Sequence, residues 1–195
     1  MALTNRDITI KGRLSYAHLF TPHAINQETD PKYSVTILIP KNDPQIQAIN
    51  TAINNAVQDT VERGKFKQAI DPAATKYPPL RDGDSLTDSG EPRGEEFAGH
   101  YFIAAKASTK RKPFIVDGNM NPIIDESEVY SGCYANVAIQ FYGYATSGNK
   151  GISASLIGVQ KVADGEPLGG PATEAEDVFT AIGNTPPTNT NNLGF

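Results

Sequence analysis

From Cys133 to Gly143 the side chains alternate. Cys133, Ala135, Val137, Ile139 and Phe141 fall on one face, and Tyr134, Asn136, Ala138, Gln140 and Tyr142 fall on the other. That pattern predicts a half-buried strand whose second face carries tyrosines and amides, prolonged past Gly143 by Tyr144. The glycine-bracketed stretch Ser147 to Gly151 predicts a loop with Lys150 at its tip, and Ile152 to Val162 a second strand returning beside the first. Earlier in the chain Ile8, Ile10, Gly12, Leu14 and Tyr16 alternate against Thr9, Lys11, Arg13 and Ser15, a strand with two cations on its polar face. Thr21 to Pro31 reads as a loop. Tyr33 to Ile39 is a strand with Tyr33, Val35, Ile37 and Ile39 facing inward.

The period then changes from two to about 3.6. Asp43 followed by Pro44 is a helix start, because the carboxylate accepts from free amides and proline needs no partner in the first turn. Ile46, Ile49, Ile53, Ala56, Val57 and Val61 form an apolar stripe, and Gly64 is a natural stop. Phe66 to Asp88 contains Asp71-Pro72, Pro78-Pro79 and Asp82-Gly83-Asp84, which forbid a long regular element. Ser89 to Glu96 predicts an exposed turn. Strand signal resumes at Gly99 to Ala107, ends in Lys110, Arg111 and Lys112, and recurs briefly at Phe114 to Asp117.

The 195 residues suffice for one domain with a sizeable core and an appendage. No apolar run approaches a membrane helix, and the amino terminus lacks the plan of a signal peptide. A lone Cys133 on the core face is an ordinary buried thiol. The formal net charge of −5 argues weakly against a nucleic-acid partner, but five acids and one base lie in residues 161–195, so the body is nearly neutral. Beyond Gly170 the composition shifts to Thr, Asn, Pro and acids; Thr173 and Glu176 are spaced as a capping box for a short helix to Ile182, and the run from Gly183 predicts a flexible end.

Aromatic rings, amides and cations on one surface suit sequence-tolerant binding of single-stranded nucleic acid, since every base has a face to stack. The same tyrosines also suit ordinary amphipathic packing on a strand, ring buried and hydroxyl wet. His18, His23 and His100 lack metal-ligand spacing, Asp82 and Asp84 lack the downstream ligands of a calcium loop, and no phosphate-cradling or nucleophile motif occurs. No metal or cofactor is therefore expected. Asp125, Glu126 and Glu128 define an alternative, a metal-dependent nuclease; a third reading, a structural or assembly protein, makes the tyrosine face the subunit interface of a homo-oligomer.

Several ordered segments resemble a family of tailed-bacteriophage single-stranded-DNA-binding proteins. They are Leu14-Ser15-Tyr16, Lys32-Tyr33-Ser34-Val35, Leu38-Ile39-Pro40-Lys41, Pro79 to Asp84, Gly99 to Ile103, Tyr130 to Cys133, Phe141-Tyr142, Gly148 to Gly151, Gln160-Lys161 and Asp164 to Gly170. The resemblance runs unbroken over residues 8–179. It implies a mainly β OB-fold barrel with one long amphipathic α-helix packed against it and a flexible C-terminal tail. The division is then an OB-fold ssDNA-binding domain over residues 1–170 and an acidic, low-complexity tail over 171–195. It further implies a non-enzymatic role in phage DNA replication or recombination in the bacterial host cytoplasm. On this reading Tyr134, Tyr142 and Tyr144 stack bases, with Tyr101 or Phe102 contributing whichever points outward. Arg13, Lys106, Lys110, Arg111, Lys112 and Lys150 contact phosphates. The tail residues Glu174, Glu176, Asp177, Phe179 and Phe195 resemble instead the acidic, aromatic-ended tail of cellular single-strand binders, which implies recruitment of phage or host replication and recombination enzymes.

Overall fold

The computed structural model describes residues 2–146 and 148–169. The expected tail helix and the tail residues Glu174, Glu176, Asp177, Phe179 and Phe195 lie outside them. Seven strands and one α-helix follow in the order β1 (Asp7–His23), β2 (Lys32–Pro40), α1 (Gln45–Glu62), β3 (Arg81–Asp82), β4 (His100–Ser108), β5 (Phe114–Val116), β6 (Tyr134–Thr146) and β7 (Asn149–Ala163). Single-turn 3-10 helices occupy Pro72–Ala74, Glu95–Phe97 and Glu126–Glu128.

The strands pair in the order β3-β4-β2-β1-β6-β7-β5, and a further β4–β7 pairing closes the middle five into a barrel. Closure is parallel and short, Ala105 opposite Ala154 and Lys106 opposite Ser155. All other barrel pairings are antiparallel. The alternation in the sequence predicts the inner wall well: Ile10, Leu14, Val35, Ile37, Ile39, Ile103, Val137, Ile139 and Phe141 are fully buried or nearly so. Cys133 is also buried, and that burial raises its thiol pKa, so it is a packing residue.

Helix α1 seals this core with Ile49, Ala52, Ile53, Ala56, Val57 and Thr60. Asp43 accepts from the Gln45 N–H at 2.8 Å, the start its position predicted, and Gly64 ends the helix with φ +74°. Arg6 joins helix and barrel: its guanidinium donates to the Phe141 carbonyl at 3.1 Å and pairs with Asp59 at 3.5 Å. At Gly143 the strand passes so close to the helix that an added Cβ would land on the Thr60 side chain, which is itself hydrogen-bonded to the Ala56 carbonyl.

Two expectations fail here. Strand β1 runs on to His23 through irregularities between Ser15 and His18 and between His18 and His23, so the predicted loop begins later than Thr21. The β6–β7 turn is tighter than the predicted loop, with Thr146 opposite Asn149 and Lys150 already in β7 opposite Ala145.

The Gly143 contact yields a test. Gly143→Ala must push the helix off β6, so its urea midpoint should fall by the equivalent of about 1 to 3 kcal/mol with an unchanged slope. An unaltered midpoint would show that the helix yields freely.

Candidate nucleic-acid interface

Register assembles the site. Tyr134 lies opposite Arg13, Arg13 opposite Leu38, Leu38 opposite Phe102, and Phe102 opposite Arg81. These residues form one row across the outer wall of β6, β1, β2, β4 and β3, roughly 19 Å long at about 4.8 Å per strand. The row reads aromatic, cation, aliphatic, aromatic, cation.

Loops build upon it. Phe97 packs edge-on against Phe102 with ring centroids 5.1 Å apart, and Leu38, Phe97 and Phe102 form a small second core touched by Leu168. Tyr16 lies 6.3 Å from Phe97 and is 62% exposed, with φ at +46°. A non-glycine residue in that region is strained. The irregularity after Ser15 breaks the expected alternation and the Tyr16 ring stands in solvent, while Ser15, still in register opposite Thr36, is buried. The backbone there is held by the Ala17 N–H donating to Ser131 Oγ at 3.0 Å.

Two arginines face the same ring. The Arg81 and Arg93 guanidiniums lie 5.6 and 4.8 Å from the Phe102 centroid, and Arg81 also lies 5.9 Å from Tyr77. Burial and then the Arg93 charge lower the Arg81 pKa. Among the described residues neither arginine has an ion-pair partner, and the buried Arg93 Nε has no hydrogen-bond acceptor. Arg81 donates to the Pro78 carbonyl at 3.0 Å and Arg93 to the Leu86 carbonyl at 3.3 Å, and the Asp88 charge offsets part of the repulsion at Arg81, so two guanidiniums are fixed against one ring with donors left for an anion. Lys106 adds to the field: burial, then Lys32 and Arg81, lower its pKa, and with Lys32 it lines a cavity of about 250 Å³.

Each predicted residue can now be placed. Arg13 is on the row, but its guanidinium is committed to the Gly132 and Glu166 carbonyls at 3.1 and 2.7 Å and lies 6.0 Å from the Tyr134 ring. Phe102 is on the outer face yet buried, because Phe97 and Leu168 cover it. Tyr101 falls on the inward-facing pleat, with Lys41 5.5 Å from its ring. Tyr134 and Tyr142 are about 40% and 39% exposed, respectively, but they stand eight residues apart, about 27 Å along β6, and cannot form one platform. The amides between them are spent: Asn136 donates to Gln160 and Gln140 to Asp7. Tyr144 packs on Gly151 within electrostatic reach of Arg81. Lys150, opposite Ala145, shares the pleat of Phe141 and Gly143, away from the tyrosines. Lys110, Arg111 and Lys112 are exposed in the β4–β5 loop, and the latter two border a cavity on the β6–β7–β5 wall, off the row.

The sequence pattern does not point to Tyr16, Tyr77, Arg81, Arg93 or Phe97, which the fold brings to this surface. Four of them sit in segments without periodicity, and Tyr16 in a strand whose parity breaks before it. Of the three acids of the nuclease alternative, Asp125 accepts from the Ser127 N–H and hydroxyl to start the 3-10 turn Glu126–Glu128. No helix among the described residues is long and apolar enough to cross a membrane.

A family model described as the ssDNA-binding protein of Enterobacter phage Enc34 matches residues 6–188. The chain belongs to this family. Putative protein p50 of Acyrthosiphon pisum secondary endosymbiont phage 1 is 33% identical to this chain over 172 residues, covering 86% of this chain and 88% of that one. The single-stranded DNA-binding protein from bacteriophage Enc34, solved in complex with ssDNA, superposes with a TM-score of 0.67 at 25% identity over 84% of this chain and 88% of the other. The single-stranded DNA binding protein gp2.5 of bacteriophage T7 gives a TM-score of 0.54 at 17% identity over 86% and 97%, a likeness of fold alone.

Strand β3 carries Arg81 to the row, and Lys41 ties β3 down through Asp82 and Asp84. Hydrogen bonds from Lys41 hold both carboxyls below their ordinary pKa of 3.8. Carboxylates depressed on folding contribute stability above the unfolded value and lose it as pH falls through the folded one. The urea midpoint should therefore fall below about pH 3.8, and Lys41→Met should flatten that acid limb. An identical limb in the variant would disprove the clamp.

Proposed function

We propose that the protein is a non-catalytic single-stranded-DNA-binding protein that coats and protects transient single strands during phage DNA replication and recombination in the bacterial host cytoplasm. Membership of the Enc34 family supports this reading. The observation that carries it is the row from Tyr134 to Arg81, with the Arg93 guanidinium 4.8 Å from the Phe102 centroid and without an ion-pair partner among the described residues. In it Arg81, Arg93 and Lys106 take phosphates, while Tyr16, Tyr77 and Tyr134 offer rings to bases; Tyr144, ten residues along β6 from Tyr134, lies off this row. Phe97 and Phe102 support the surface from beneath. Arg13 contributes charge while holding the β1 and β6 ends together. The acidic segment from Glu174 to Phe179 and the terminal Phe195 are the proposed contacts for replication and recombination enzymes.

Nothing in this chemistry breaks a bond: cations neutralise phosphates and rings stack, so affinity should depend on salt and hardly on sequence. In anisotropy titrations of a labelled oligonucleotide, log K should fall by about 0.7 per phosphate contact per decade of salt. Arg81→Ala and Arg93→Ala should each weaken binding and reduce that slope by about one contact's worth. Tyr16→Ala should cost about 1 to 3 kcal/mol of affinity at every salt concentration, leaving the slope unchanged. A salt-independent affinity, or loss of the labelled strand with Mg²⁺, would refute the reading.

A further inference from the structure

On the β6–β7–β5 wall, away from the row, Phe114 lies across Gly158, its neighbour in the ladder; an added Cβ at Gly158 would collide with ring carbon Cδ2. One side of the ring is thus sealed on backbone, yet Phe114 is 65% exposed. An open cavity of about 610 Å³ beside it has Ala138 and Ile157 in its floor and Arg111 and Lys112 at its border. That volume falls within the range of small-ligand sites. Among the described residues neither cation has an ion-pair partner. Asp7, the one carboxylate among the lining residues, is engaged by Thr4 and Gln140.

We propose that this cavity is a second base-stacking site, with the Phe114 ring as its platform and Arg111 and Lys112 as its phosphate contacts. The inference rests on the ssDNA-binding reading and extends the path of the strand around the barrel. The β4–β7 pairing sets Lys106, which borders the front cavity, directly beside Ser155, which lines this one. The chain then places Lys110, Arg111 and Lys112 between β4 and Phe114. A strand leaving the front wall at Lys106 meets continuous positive charge on its way to the ring. A flat ring backed by glycine and flanked by unpaired cations matches a nucleotide, which brings a flat base and a phosphate together. An apolar surface of another chain would use the ring but would bury both cations without partners.

The test uses the absence of tryptophan from the chain. Phe114→Trp, checked for native circular dichroism, is titrated with a thirty-nucleotide thymidine strand while anisotropy of a label on the strand follows binding. Indole quenching in step with the anisotropy is expected. In parallel, Phe114→Leu, which keeps Gly158 covered but offers no ring, should bind the same strand about 5- to 150-fold more weakly, the ratio corresponding to one stacked base. A rise in anisotropy without quenching, or full affinity in Phe114→Leu, overturns the second site and leaves the front row standing. No rise in anisotropy overturns both. An indole signal that changes with protein concentration in the absence of DNA makes the wall a contact between copies and also overturns the proposal.

Discussion

Closure of the barrel rests on the short parallel contact between β4 and β7, and the rest of the arrangement follows from it. Alanines face each other at Ala105 and Ala154, so the backbones approach without side chains wedging them apart. Parallel pairing between strands so distant in sequence is costly to nucleate. What makes it worthwhile is the core it encloses, in which β1, β2, β4, β6 and β7 all turn their apolar faces inward and α1 covers the opening. Once the cylinder is closed, each strand has one face left for solvent, and the outward residues of neighbouring strands become rows.

The row on the front wall is not relaxed. Arg81 and Arg93 are held against one phenyl ring with no ion-pair partner among the described residues, and a guanidinium nitrogen is buried there without an acceptor. A donor left without a partner costs free energy that an arriving oxygen can return. Lys41, Asp82 and Asp84 keep β3 in place against that repulsion, and Arg13 fastens the other end by gripping the Gly132 and Glu166 carbonyls.

Much of the architecture was legible because periodicity is a direct imprint of burial. The apolar residues of β2, β6 and α1 recur at the spacing of their elements, and those elements lie within a residue or two of where the pattern puts them. The site was less legible, for three physical reasons. Alternation assigns a face only while the register is unbroken, and the irregularity after Ser15 turns Tyr16 outward against the count. Outward-facing polar side chains can satisfy one another, as Asn136 with Gln160 and Gln140 with Asp7, and a linear reading cannot see those partners. Arg81 and Arg93 come from an excursion rich in proline and glycine, where only the fold reveals that two cations share one ring.

Tyr16 places two demands on a single residue. Its backbone conformation suits glycine or asparagine, whereas its exposed ring suits a partner. Directed evolution for heat resistance alone would drift toward one of those smaller residues, and the resulting protein would be hardier while having surrendered an outward ring. A tyrosine at such a position fits the ring's proposed role at the surface, and thermal screening of this scaffold should carry a binding assay beside it.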